Sequence, residues 1–283
     1  MNSSAVARDI VRMEGSLASS RSDTLAVEEP LEIRVAWHDR EQTLAITMRT
    51  PGHDLELAVG FLWSEGVIRQ RSDLVSQRHC GPAVRRDGTS NIVRISLSPS
   101  APLDRTRLER HFYTSSSCGV CGKTSLEAVR TAPHEPLAPG EPIVAAGVIH
   151  ALPDALRRGQ EVFDRTGGLH AAGLFDLTGS LLVAREDVGR HNAVDKVVGA
   201  RLLATATDDA YVSASLLMVS GRASFELVQK AVMAQIPILA AVGAPSSLAI
   251  ELALAEGLTV LGFVRDGRFN IYSGAVRIRE THA

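Results

Sequence analysis

Two cysteines, Cys118 and Cys121, stand two residues apart in the stretch Tyr113–Ser125, between a run of small polar residues and a segment that reads as a helix. A thiolate is a nucleophile, binds soft metals and can carry an extra sulfur, and its reactivity follows its pKa. The Cys-X-X-Cys spacing depresses that pKa, and an adjacent helix start and Lys123 push the same way. Glycines at 119 and 122 let backbone or ligand come close to both sulfurs. Chemistry is expected here first.

Several chemistries use such a pair. A structural zinc site needs four ligands, and no second Cys-X-X-Cys exists; Cys80 with His79, or the distant His111 or His134, would have to complete it. A thioredoxin-type redox pair follows a strand, whereas Ser115–Ser117 precede Cys118; that reading stays open. A zinc deaminase carries H-x-E and then P-C-x-x-C. No histidine here has glutamate two positions on, and Ser117 stands where the proline belongs, so deamination is excluded. Gly122-Lys-Thr124 mimics the end of a phosphate-binding Walker loop, but Ser117 occupies the position of its first glycine. What survives is an accessible, activated thiol at Cys118, with Cys121 as assistant or second carrier. Cys80, in His-Cys-Gly-Pro, reads as a small buried residue.

The whole chain narrows the setting. Its 283 residues can bury a core without staples, as one large or two small domains. A net charge of -2 gives no broad electrostatic case for nucleic acid or an anionic membrane, and 4% aromatic residues leave few base-stacking platforms. Three cysteines are no disulfide framework and fit a reducing compartment. The N-terminus lacks an apolar signal core. The most apolar stretch, Ile236 to Val264, is interrupted by Pro237, Gly243, Pro245, Glu251, Glu256 and Gly257, against a transmembrane span. The expectation is a soluble cytoplasmic protein.

The elements that must position the cysteines follow from periodicity. Residues 1–28 are Ser-rich and charge-mixed and read as a poorly ordered tail. Leu31–Trp37 and Leu44–Met48 alternate apolar and polar, a hairpin turning at 38–41; Leu55, Ala58, Val59 and Leu62 give a helix ending near Gly66; Asn91–Leu97 is another strand. A helix is expected from the cysteines to Arg130, then a Pro-rich seam over Ala132–Pro142. Beyond it, 143–163 reads as helical with a break near Pro153, and His170–Asp176 and Leu181–Ala184 as strands joined by a turn. Asp187 is placed as the cap of a helix reaching about Ala204, with Val194, Val197, Val198 and Leu202 on one face. Leu216–Val219, Ile238–Val242 and Leu258–Val264 as strands, with helices from Phe225 to Ala234 and Ser247 to Glu256, complete an α/β sandwich with a largely parallel sheet. The expected division is a tail (1–28), an N-terminal subdomain with the cysteine loop (29–142) and an α/β core (143–283).

The chain resembles the FdhD family of formate dehydrogenase accessory sulfurtransferases. The resemblance begins at Cys118-Gly-Val-Cys121-Gly and continues through Gly60–Gly66, Thr166–Ala172, Glu186–Lys196, Ser220–Lys230 and Leu258–Arg268. Motifs in series from about residue 30 to 275 are far more specific than any one of them. It implies a cytidine deaminase-like fold, with a smaller β-containing N-terminal subdomain, on which the deaminase residues are absent. It implies that sulfur is taken from a cysteine desulfurase as a persulfide on Cys118, with Cys121 as auxiliary thiol. That sulfur passes to the molybdenum or tungsten bis-molybdopterin guanine dinucleotide cofactor before the cofactor enters the formate dehydrogenase catalytic subunit. The cofactor-binding stretch it assigns is Phe263, Val264, Arg265, Asp266, Gly267 and Arg268. Arginines at a strand end suit phosphates, with Gly267 permitting close approach. The bare hexapeptide would otherwise read as a solvated turn.

Gly189–Asn192 and Ser220–Arg222 each lie between a strand and a helix, where backbone N–H groups can hold a phosphate. His191 reads equally as a ligand contact or a hydrogen-bonded core histidine, while Met218 and Phe225 read as core. The rival function is a non-catalytic chaperone binding the cofactor or the apo-dehydrogenase. No resident metal is expected, and the apolar C-terminal half leaves room for a homodimer.

Overall fold

The computed structural model describes residues 4–84, 88–101, 137–138, 140–204 and 216–280. The expected tail is instead an antiparallel ribbon of β1 (Ala5–Glu14) and β2 (Leu17–Ala26), turning at Gly15. Its polar composition suggests disorder. Ala5, Ala7, Val11 and Met13 nevertheless share one face, interrupted by Asp9, and the ladder satisfies every second backbone group.

β3 (Glu29–Trp37) and β4 (Arg40–Arg49) form the expected hairpin, with a tighter two-residue turn at His38–Asp39. After Pro51–Gly52 comes α1 (Asp54–Ser64), then β5 (Leu74–His79) and β6 (Ile92–Leu97). These strands make a four-stranded sheet in the order β4-β3-β6-β5, with β3 and β6 parallel.

Next come β7 (Val144–Ala145), α2 (Ala146–Arg158), α3 (Glu161–Thr166), β8 (His170–Phe175), β9 (Leu181–Asp187) and α4 (Arg190–Ala204). They are followed by β10 (Leu216–Val219), α5 (Phe225–Met233), β11 (Ile238–Ala241), α6 (Ser247–Ala255), β12 (Thr259–Arg265), β13 (Arg268–Ser273) and β14 (Ile278–Arg279). The main sheet runs β13-β12-β11-β10-β8-β9. Only the β10–β11 and β11–β12 pairs are parallel, so the sheet is mixed rather than largely parallel. The short turn at 178–180 and the tight one at 266–267 make neighbouring strands antiparallel, because neither holds a crossover helix. The helical break expected at Pro153 falls at Gly159–Gln160. Ile149, Leu152 and Leu156 form one buried stripe that holds α2 together through the proline.

The sheet separates two cores. Leu216 and Met218 face α2 with Ile149, Leu152 and Phe175. Leu217 and Val219 face the opposite side, where Val194, Val197 and Val228 continue without a gap into Leu57, Leu62, Ile33 and Ile95 of the four-stranded sheet. The two sheets thus share one hydrophobic interior. At its centre α1 crosses α4 with backbones in contact: a Cβ on Gly60 would lie 1.9 Å from the Asp195 carbonyl oxygen, and one on Gly199 1.9 Å from that of Glu56. Only glycine fits at either position.

Asp187 does not cap α4. Its carboxylate, at the end of β9, accepts the Gly189 N–H at 2.8 Å and the Thr50 N–H at 3.1 Å and pairs with buried Lys196 at 2.7 Å. It ties α4 to the end of β4 instead. Among the described residues no helix is long and apolar enough to cross a membrane.

Candidate functional site

In open sheets, ligands settle beyond the carboxyl ends of parallel strands. Here that edge is formed by the loops after β10 and β11 and by the hairpin after β12. Backbone bonds lace the three together: Gly243 N–H donates to Gly221 O at 2.9 Å, Ala223 N–H to Ala244 O at 3.2 Å, and Phe263 N–H to Gly243 O at 3.1 Å.

On the α2 side of this edge lies a cavity of about 670 Å³, lined by Pro153, Asp154 and Arg157 of α2, Gln160, Phe163 of α3, Gly167–His170, Ser220 and Val242. Its volume lies within the range of drug-sized ligand pockets, roughly 300–1,000 Å³. Arg157 pairs with Asp164 and lies over the Phe163 ring, 4.9 Å from its centroid. Ser220 takes the Ala171 N–H on its hydroxyl at 2.8 Å, which fixes the mouth of the cavity to β8. Next to it stands His170. Burial, and then Arg190 and His191, push its imidazole below the ordinary value, against the opposing pull of Asp187. His170 is therefore a neutral donor–acceptor at physiological pH. Arg190 supplies a further cation, and its buried Nε has no hydrogen-bond partner among the described residues.

The motif at 189–192 resolves as mainly structural. His191 is buried and its Nε2 donates to the Glu226 carboxylate at 2.5 Å, with Ser224 Oγ at 3.4 Å. Asn192 donates from Nδ2 to Met48 O at 2.8 Å and to Asp187 at 3.0 Å. Both side chains bind the elements of the fold to one another. In the loop after β10, Arg222 is exposed. Met218 and Phe225 are buried, as expected.

The stretch Phe263–Arg268 is the end of β12, a two-residue turn and the start of β13. Arg265 pairs with Arg268 across the turn, and Asp266 and Gly267 both have positive φ, 54° and 67°. That is the turn that matches strand twist. Phe263 also has φ of 55°, at a bulge where its N–H turns to Gly243. Val264 is buried, whereas Arg265, Asp266, Gly267 and Arg268 face solvent. The hairpin thus stands on the same edge as the cavity, beside Val242–Gly243, without lining it.

Cys118 and Cys121 lie outside the described residues. Cys80 is half-buried, not buried; it follows the end of β5, directly ahead of Gly81 with φ of 84°. Among the described residues no three His, Cys, Asp or Glu side chains cluster closely enough to hold a metal. Sequence reasoning assigned no role to Phe163, and named His170 and Arg190 only within the stretches Thr166–Ala172 and Gly189–Asn192. The available signal was the Gly-Gly pair at 167–168 just ahead of a strand, which marks a place where the chain opens.

The geometry defines a mixed α/β scaffold with a solvent-open site on the carboxyl edge of its central strands. The model of the FdhD/NarQ family matches residues 26–279, and the chain belongs to that family. Among its relatives, the sulfur carrier protein FdhD of Streptomyces coelicolor is 54% identical over 273 residues, 96% of this chain and 94% of that one. That of Mycobacterium tuberculosis is 52% identical over 265 residues, 92% of this chain and 93% of that one. A crystal structure from Desulfotalea psychrophila, described as that of a candidate formate dehydrogenase accessory protein, superposes with a TM-score of 0.71. At 24% identity it covers 97% of this chain and 99% of that one, a likeness of fold.

Proposed function

We propose that this chain is a sulfurtransferase that serves formate dehydrogenase, carrying sulfur as a persulfide on Cys118. The thiolate of Cys118 attacks the outer sulfur of the persulfide on a cysteine desulfurase. A new S–S bond forms on Cys118, the donor's S–S bond breaks and the donor leaves as a thiolate. The sulfur then passes to the molybdenum or tungsten of a bis-molybdopterin guanine dinucleotide cofactor, the cargo, before the cofactor enters the dehydrogenase. The observation that carries this reading is the identity of about half the residues, over nearly the whole length, to proteins named as sulfur carriers.

The physical features of the site support it. A cavity of about 670 Å³ takes one nucleotide end, not the whole cofactor, with the Phe163 ring available for stacking and Asp154 for the donors of a guanine edge. Phosphates leaving the cavity would reach Arg265 and Arg268 on the exposed hairpin, where charge-assisted bonds form readily. The reading of the larger unit as cytidine deaminase-like is supported by three parallel central strands with helices on both faces.

Intact-mass spectrometry after incubation with a desulfurase and cysteine tests the carrier: the wild type gains one sulfur and Cys118→Ala does not. If Cys118→Ala still gains a cyanide-labile sulfur while Cys121→Ala does not, the carrier is misassigned. Full restoration of formate dehydrogenase activity by Cys118→Ala would instead favour the cofactor-binding chaperone.

A further inference from the structure

Gln160 is only 5% exposed, yet its side-chain amide makes no hydrogen bond among the described residues. It stands at the position that caps the start of α3, where a polar side chain ordinarily accepts the first free backbone N–H groups of the helix. Another element does that here. Glu186, on β9, accepts the Val162 N–H at 2.8 Å and the Phe163 N–H at 2.7 Å. The main chain of Gln160 is fixed all the same: its N–H donates to Arg157 O at 3.2 Å, and its carbonyl accepts the Asp164 N–H at 3.1 Å. A buried amide without a partner is costly and calls for an explanation. This one lines the cavity of about 670 Å³, to which its remaining accessible surface belongs.

The polar groups around that cavity divide by charge. Asp154 and Arg157 are exposed, whereas Ser220 and His170 are half-buried and Gln160 is buried. The three covered groups are neutral, His170 because burial, and then Arg190 and His191, hold its imidazole below the ordinary value. They suit an uncharged polar ring better than a phosphate. A carboxylate such as Asp154 only accepts hydrogen bonds, so a base held here turns its N–H edge towards the rim. What then faces the interior is the neighbouring ring substituent, and the Gln160 amide carries two donors for it.

We propose that Gln160 is a specificity-determining residue of this cavity: its Nε2 donates to the ring carbonyl of an oxo-purine whose ring N–H and amino group face Asp154. The inference rests on the reading of the cavity as the seat of one nucleotide end. Adenine brings an amino group where guanine brings the carbonyl, and a bare ring nitrogen where guanine offers Asp154 an N–H. Turning the amide over would answer the first mismatch and leave the second. A site built to hydrogen-bond one edge rejects the analogue that lacks it, because its own polar groups are then stranded.

Calorimetric titration of the full chain with the diphosphates of guanosine, inosine and adenosine tests this. The wild type is expected to bind the guanosine and inosine compounds, which share the carbonyl, at least about tenfold more tightly than the adenosine one. Gln160→Met keeps the size and removes the amide; it should weaken both oxo-purine compounds about tenfold, the scale of one hydrogen bond, and change the adenosine compound little. Gln160→Glu sets an acceptor against the carbonyl, and should weaken guanosine diphosphate more than Gln160→Met does. Because the amide bonds nothing in the protein, Gln160→Met without nucleotide should melt no lower than the wild type. Equal wild-type affinity for the guanosine and adenosine compounds overturns the inference. So does either variant keeping the wild-type preference, or a Gln160→Met protein that melts several degrees lower. In each of those cases the nucleotide reading of the cavity survives. A wild type that binds none of the three sinks that reading, and this inference with it.

Discussion

Lys230 reaches from α5 to Asp195 on α4, its Nζ 2.8 Å from both carboxylate oxygens, and Ser64 of α1 donates its hydroxyl to the same carboxylate at 2.8 Å. Three helices meet at one buried charge. Burial pushes the Asp195 carboxyl up, against the pull of Lys230 and Ser64. Lys230→Met strands that carboxylate, and we expect a loss of about 3–5 kcal/mol in urea unfolding. Lys230→Met combined with Asp195→Asn should recover part of it. A double variant no more stable than the single one would show that the loss comes from packing.

Glu56 gives the molecule an acid-sensitive contact. Burial alone would raise its carboxyl, but bonds from Arg185, at 2.5 and 2.7 Å, and from His53 hold it at about 2 instead of 4.5. A lowered folded-state pKa means that the stabilisation is complete above the ordinary value and is lost as pH falls towards the depressed one. Thermal stability should therefore decline as pH falls from 4.5 towards 2, and Arg185→Met should flatten that part of the curve.

At the cavity, the His170 imidazole should titrate below 6.5 because of burial and then because of Arg190. NMR titration, with the resonance assigned by His170→Asn, reads this directly. Arg190→Met should move the midpoint upward. An unmoved midpoint would remove Arg190 from the electrostatics of the cavity.

Arg265→Ala and Arg268→Ala should each weaken binding of guanosine diphosphate roughly tenfold or more, the size of a charge-assisted bond. The loss should shrink as salt screens the phosphates. Sulfur loading of Cys118 should not change. Equal affinity in wild type and variants would take the hairpin out of cofactor binding.

Strong periodicity made much of this architecture legible. Leu31–Trp37, Leu55–Leu62 and the alternation from Leu216 to Val264 declare their elements because a single period repeats over a whole segment. The β1–β2 ribbon escaped because neither of its faces is apolar throughout: Asp9 and Ser22 interrupt one, and Arg8, Arg12 and Arg21 the other. Asp195 and Lys196 look like the solvent face of α4. Both are buried, and their partners, Lys230 and Asp187, lie on other elements where no local pattern points to them. The Cys118–Cys121 pair is read from spacing alone and lies outside the described residues, whereas the cavity required the fold, because His170, Ser220 and Val242 come together only across strands.

The crossing at Gly60 and Gly199 has a mechanical consequence. With main chain resting on main chain, there is no cushion of side chains on which the halves of the molecule could slide or pivot. The rim along the carboxyl ends of β10 to β12 is therefore set before any visitor arrives. Taste for a different visitor would evolve by rewriting the loops along that rim, since the close crossing of α1 and α4 beneath them leaves those two helices no room to slide.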